Sequence, residues 1–199
     1  MALPTVVLVV VHGAPGAGKS TLATALGRHL QLPVLDRDDF KDVMFDAFGY
    51  SDRDWSVRVG SASWEMLGLC IDRLVRSGMS MIAESNLRPG DPLVPRLRHL
   101  CDETGALPIE VHCTAPDDVL WERFTSRRDA GDRHPGHVGF EDRQSFLAHL
   151  RARPHGPLGL GGPLIEVDTA AGWPDAADLA DRVSDAVSSA APAGFSAAP

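Results

Sequence analysis

Residues 13–20 read Gly13-Ala14-Pro15-Gly16-Ala17-Gly18-Lys19-Ser20, between a run that can only be a buried strand and a run with helical periodicity. Upstream, Thr5 to Val11 is β-branched and apolar on both faces, which predicts a central parallel strand covered on each side. Downstream, Leu22, Ala23, Leu26 and Leu30 recur at helical spacing, and the helix from Ser20 to Leu30 ends before Pro33. A glycine-rich turn in that setting is a Walker A phosphate loop. Its glycines let consecutive N–H groups point inward at phosphate oxygens, and the following helix adds its positive end. The backbone from Gly13 through Ala14, Pro15, Gly16, Ala17 and Gly18 would cradle phosphate, and Lys19 would bridge the β- and γ-phosphates. Ser20 would offer its hydroxyl to magnesium, and Thr21 would pack or cap in the first helical turn.

The remaining pattern alternates strands with helices. Short apolar runs at Pro33–Leu35, Met79–Ala83, Leu107–Cys113 and Leu164–Val167 predict four further strands. Helices are predicted from about Asp38 to Phe48, then over Trp55–Arg76, Leu93–Thr104, Asp117–Arg128, Phe140–Arg151 and Asp175–Ser188. Asp129 to Gly139 lacks periodicity and reads as a mobile cover, while the glycine and proline of 153–163 read as a connector. Such alternation predicts an α/β fold of three layers, an open doubly wound sheet whose ligands gather at the strands' carboxyl ends. The phosphate loop, Asp38, Glu84 and Asp168 each follow a predicted strand.

The composition narrows the field. With 199 residues and 44% hydrophobic content, one domain over 1–189 is expected, followed by a disordered small-residue tail at 190–199. No signal peptide or membrane-length apolar run is visible, and Cys70, Cys101 and Cys113 are odd in number, so a cytoplasmic setting is expected. A net charge of −8 disfavours a broad nucleic-acid surface, although Arg123, Arg127, Arg128 and Arg133 make one basic segment. Nothing in the sequence indicates an oligomeric state.

The loop, Arg37-Asp38-Asp39-Phe40-Lys41, Glu84-Ser85-Asn86-Leu87 and the Arg123–Arg127 helix together resemble the P-loop kinase group. Within it the chain is similar to the polynucleotide 5′-hydroxyl kinase domain, zeta toxins and chloramphenicol phosphotransferase. The resemblance implies a five-stranded parallel sheet in the kinase order 2-3-1-4-5, helices on both faces and an arginine-rich lid. It also implies that Asp38 is the base that takes the proton of an attacking hydroxyl, with Lys41 at the neighbouring basic position.

Phosphoryl transfer needs positioning, charge neutralisation and a base near the nucleophile, which agrees with this reading. Asp38 as base with Asp39 as helix cap is expected; the alternative makes either residue a simple N-cap. Glu84 would hold the acceptor or a magnesium-bound water, the resemblance favouring the acceptor, and Asn86 would orient that acceptor. Arg123 and Arg127 share a helix face and would reach phosphates, with Arg127 the expected catalytic member and Arg128 or Arg133 closing from the lid. His134 and His137 read as lid structure rather than a zinc site. Asp168-Thr169 resembles the loop that passes beside adenine, or simply ends a strand. Phe48, Tyr50, Trp55 and Trp64 lie where an acceptor pocket is expected, or serve the core.

The only asparagine is Asn86, so a guanine-reading Asn-Lys-x-Asp motif cannot occur and ATP is the expected donor. The expected activity is magnesium-dependent transfer of the γ-phosphate of ATP to a hydroxyl of a small molecule, such as an antibiotic, sugar nucleotide or nucleoside-like compound. The alternatives are a polynucleotide 5′-hydroxyl kinase and a nucleotide-binding switch or partner-binding module.

Overall fold

The computed structural model describes residues 5–131 and 133–190. In chain order the elements are β1 (Val7–Gly13), α1 (Lys19–Leu30), β2 (Val34–Asp36), α2 (Arg37–Phe48), α3 (Arg53–Arg76), β3 (Met81–Glu84) and α4 (Leu93–Thr104). They continue with β4 (Leu107–Thr114), α5 (Asp117–Asp129), α6 (Arg143–Ala152), β5 (Leu164–Asp168) and α7 (Ala176–Ala190). All pairings are parallel, and the strand order is β2-β3-β1-β4-β5, as expected. Ala190 ends α7, and the rest of the expected tail lies outside the described residues.

Alternation along β1 builds the two cores. Val9 and Val11 face a layer with Leu22, Leu26, Ile109, Phe146 and Leu179, whereas Leu8 and Val10 face Leu67, Ile71, Met81, Leu97 and Leu100. Both layers are buried, and β1 lies between them, which is why its sequence reads as a continuous apolar run. No helix among the described residues is long and apolar enough to cross a membrane.

Several elements differ in their bounds from the sequence reading, α3 starting at Arg53 and β3 spanning Met81–Glu84, and two of the differences have a clear cause. β1 continues through His12 and Gly13, two polar or small residues that the apolar pattern omits, because they pair with His112 and Cys113 of β4. Here the chain must turn sharply. Gly13 has φ 146°, and a Cβ there would lie 2.2 Å from the Cys113 carbonyl oxygen, so only glycine fits. Helix α6 starts at Arg143 rather than Phe140, because Asp142 caps it by accepting the Ser145 amide at 2.8 Å. Phe140 instead packs against Phe124 and Phe146.

The connector after α6 is fixed by a buried carboxylate. Glu110 accepts the amides of Leu158 and Leu160 at 2.7 and 2.6 Å, which seats both leucines in the core. Beside it, His12 and His112 stack at 4.8 Å, neighbours across β1 and β4. His12 is fully buried, and neither ring nitrogen has a hydrogen-bond partner. Burial, then His112 and Lys19, push its pKa down from 6.5 to about 3.

Acid should therefore destabilise the fold through His12. The unfolded chain protonates this group below pH 6.5 and the folded chain does not until about 3, so stability falls as pH drops through that window. Between pH 7.5 and 5 the loss from His12 alone is about 2 kcal/mol. Urea unfolding of wild type and His12→Leu at both pH values measures it: the variant should lose about 2 kcal/mol less on acidification. An equal loss in both proteins would remove His12 as the cause.

Candidate active site

The site lies at the carboxyl ends of β1, β2 and β3, where β1 separates strands that run outward in opposite order. Three elements aim at one cleft. The phosphate loop supplies Pro15, Gly16, Lys19 and Ser20, the β2–α2 junction supplies Asp36, Arg37 and Asp38, and the end of β3 supplies Glu84, Ser85 and Asn86. Phe124 and Arg127 of α5, with Arg133 from the following loop, close the opposite wall.

Within the loop, Gly18 is the left-handed N-cap of α1 at φ 77°, so the helix starts with its amides facing the turn. Lys19 is buried and donates to the Ala14 carbonyl at 3.1 Å, with its Nζ 3.9 Å from Glu84. Ser20 donates to Glu84 at 2.8 Å. Burial raises the Glu84 pKa, Lys19 opposes the rise, and Asp36 on the neighbouring strand adds to it. Glu84 is thus tied to the phosphate loop.

Asp38 occupies the far side of the cleft. Its carboxylate pairs with Arg37 and accepts from Arg133 at 3.3 Å. Burial alone would raise its pKa, but Arg37, Arg133 and His137 together hold it well below the usual carboxylate range. The α2 cap is neither Asp38 nor Asp39. Asp36 fills that role by accepting the Asp38 amide at 2.8 Å, which leaves the Asp38 side chain to face the cleft.

Adjoining this cleft through Pro15, Arg37, Asn86, Phe124 and Arg133 is a cavity of about 350 Å³ between α2, α3, α6 and the 133–140 loop. Lys41 lines it and donates to Ser56 at 3.0 Å, and burial, then Arg37, press its pKa down to about 8. Of the four aromatic residues expected around an acceptor pocket, Trp64 is in the wall, under the Arg37 guanidinium at 4.8 Å. Phe48 and Tyr50 are exposed, and Trp55 donates to the Gly49 carbonyl at the start of α3. The wall also contains Arg53 and Arg88, which sequence reasoning did not single out. Arg88 lies two residues after Asn86, inside the stretch already marked by the resemblance.

On the other side of the loop, Gly16, Gly18, Ser20, Thr21, Arg123 and Trp173 line a cavity of about 440 Å³. Arg123 is positioned here rather than in the central cleft. It donates to the Thr169 hydroxyl and carbonyl at 2.9 and 2.6 Å and lies over Trp173 at 4.6 Å. Thr169 is buried and reaches the Ala17 carbonyl at 3.3 Å, so it joins β5 to the phosphate loop. Asp168 is exposed and accepts the Ala170 amide at 2.8 Å, which makes it a turn-closing residue. Trp173 was not singled out in the sequence because no periodicity marks it.

The 133–140 loop is not a free cover. His134 lies 3.2 Å from Asp46 and stacks on Phe45, and His137 lies 2.5 Å from Asp42, so both histidines pin the loop to α2. Gly136 allows the approach, since a Cβ there would come within 2.6 Å of the Phe45 ring. Arg128 holds the same loop through the Phe140 carbonyl rather than facing the cleft.

A family described as AAA domain matches residues 8–152. The chain belongs to that family and is a P-loop kinase. It is 40% identical to a protein of Chloroflexus aurantiacus J-10-fl whose structure is described as a "putative kinase", covering 92% of this chain and 98% of that one at a TM-score of 0.84. The same fold occurs in shikimate kinase from Acinetobacter baumannii in complex with shikimate, at 19% identity, 93% and 94% coverage and a TM-score of 0.56. It also occurs in the Mycobacterium tuberculosis APS kinase CysC in complex with AMPPNP and APS, at 20% identity, 93% and 99% coverage and a TM-score of 0.54. No curated protein matches the chain.

Nucleotide binding by the kinase should depend on Lys19. Replacing Lys19 by alanine removes the positive charge of the loop and one loop hydrogen bond while sparing both cores. We expect at least a tenfold loss of nucleotide affinity by fluorescence titration, with melting within a few degrees of wild type. Unchanged affinity would disconnect the loop from phosphate.

Proposed function

We propose that this kinase moves the γ-phosphate of ATP, with magnesium, to a hydroxyl of a small molecule bound in the cavity adjoining the Asp38 cleft. The observation that carries the reading is that Asp38 and the phosphate loop line one cleft, and that this cleft shares Pro15, Arg37, Asn86, Phe124 and Arg133 with that cavity. A hydroxyl in the cleft would have a carboxylate on one side and the phosphate loop on the other. That is the arrangement phosphoryl transfer requires.

The nucleoside would occupy the cavity between Arg123, Trp173 and Thr21, its phosphates running along the loop. Ser20 and Glu84 fit a magnesium ion, since they offer a hydroxyl and a carboxylate side by side, and a cation there would relieve the acid burial of Glu84. When bound, magnesium supplies charge neutralisation on the β- and γ-phosphates. Lys19 adds positive charge on the same oxygens, and Arg127, which borders both the cleft and the nucleoside cavity, would contact the transferring group.

Asp38 accepts a hydrogen bond from the acceptor hydroxyl and orients it in line with the γ-phosphorus. As the new oxygen–phosphorus bond forms and the bond to the β-phosphate oxygen breaks, the hydroxyl proton passes to Asp38 and ADP leaves. Because Arg37 and Arg133 lower its basicity, Asp38 is chiefly an orienting group until the transition state, when the hydroxyl becomes acidic.

Asp38→Asn keeps the size and removes the proton acceptor. We expect single-turnover transfer to fall about 10²–10⁴-fold, while the affinity for ATP measured by calorimetry stays within a few-fold. The acceptor for this assay comes from a screen with labelled ATP. Transfer within a few-fold of wild type would move the base elsewhere. Arg127→Ala should in turn lower kcat more than ATP affinity, because its contact strengthens in the transition state. A loss confined to affinity would make Arg127 a nucleotide anchor.

A further inference from the structure

The acceptor-side cavity carries charge of one sign. Six cationic side chains line it, Arg37, Lys41, Arg53, Arg88, Arg133 and Arg153, against the single carboxylate of Asp91 in its wall. This occurs in a chain whose net charge is −8, so the excess is local. Arg37 and Arg133 share the single carboxylate of Asp38, and Arg153 takes Asp91 at 2.7 Å. Lys41 finds only the Ser56 hydroxyl, and among the described residues neither the Arg53 nor the Arg88 guanidinium has a carboxylate oxygen within 4.0 Å, Asp91 instead accepting the Arg88 backbone amide at 2.9 Å.

Arg88 is the telling member. It is 7% exposed, its Nε has no hydrogen-bond partner, and its Nη2 meets only the neutral acceptor His149 Nε2 at 3.0 Å. A buried guanidinium without an anion is costly, and its planar fork matches two oxygens of one oxyanion. Resting on the kinase reading above, we infer that the acceptor is a small hydroxyl compound bearing a carboxylate or phosphate, which Arg88 and Arg53 bind while Asp38 receives the hydroxyl. Val138 and Phe140 wall the cavity beside them, and its volume of about 350 Å³ suits a small ligand rather than a polymer.

Two measurements test this independently of each other. In the first, protein saturated with magnesium and a non-hydrolysable ATP analogue, so that the phosphate loop is filled, is titrated with inorganic phosphate and separately with acetate. At least one should raise the melting temperature of wild type, and Arg88→Gln should abolish the rise. In the second, labelled ATP is offered with matched pairs of hydroxyl compounds, each neutral parent beside its carboxylate or phosphate derivative. The anionic members should be preferred at least tenfold in kcat/KM, and the preferred series tells carboxylate from phosphate. Arg88→Gln should raise the KM of the best acceptor about 10–100-fold and leave the KM of ATP within threefold. Arg53→Ala, at an exposed position, should raise the same KM in the same direction and keeps the test open if Arg88→Gln misfolds.

Equal use of neutral and anionic members, or an unchanged KM in both variants, would overturn the inference. So would efficient labelling of an oligonucleotide 5′ end without labelling of small anions. If no compound is labelled, the kinase reading falls, and the titration alone decides whether Arg88 binds an oxyanion.

Discussion

The turn at the end of β1 is the constraint on which the rest of the structure depends. β1 is buried between β3 and β4 and between two apolar layers, so its carboxyl end cannot drift. At that end Gly13 comes so close to the β4 backbone that no side chain fits, and the chain is forced out of the sheet into the phosphate loop. The loop then leads into α1, whose amides face the turn. Burial of an apolar strand is thereby converted into a fixed cradle for negative charge, at the point where the strand order reverses and a crevice must open.

Electrostatics divides the space around that cradle into two unlike halves. On the side proposed for the nucleoside, Arg123 is held by a threonine hydroxyl and a carbonyl and lies over an indole, so polar but largely uncharged contacts position it. On the side proposed for the acceptor, charges face one another. Arg37 and Arg133 keep Asp38 ionised, the same cations help hold Lys41 below its ordinary range, and among the described residues the Arg88 guanidinium forms no ion pair. Placing these groups in the interior costs stability that the two cores must offset.

Much of the fold was legible because it follows from local chemistry. The apolar runs gave the strands, helical spacing gave the helices, and Gly105 ended α4 at its expected place with φ 70°. The phosphate loop was legible because its function lies in the backbone of eight consecutive residues. Legibility failed wherever a partner distant in sequence decided the outcome. His12 extends β1 because His112 stacks on it, and the 133–140 loop is pinned because Asp42 and Asp46 lie one helical turn apart on α2. Asp168 and Thr169, adjacent in sequence, part company for the same reason: one faces solvent and the other bonds the phosphate loop across the sheet.

The proposed acceptor site is the extreme case of that rule. Its charged wall is assembled from α2, α3, the segment after β3, the 133–140 loop and the end of α6, and each contributes one or two residues that look like ordinary surface charge in their own segment. Arg53 begins a helix after an aspartate cap, and Arg153 follows another helix, both places where charge needs no special explanation. Only the sheet order brings them to one cavity. The nucleotide half of a P-loop kinase can therefore be written in a contiguous motif, because every member of the fold presents phosphate to the same backbone. The acceptor half must be distributed, since changing one or two side chains on separate elements alters the charge and shape of the cavity without disturbing the loop that holds the phosphate.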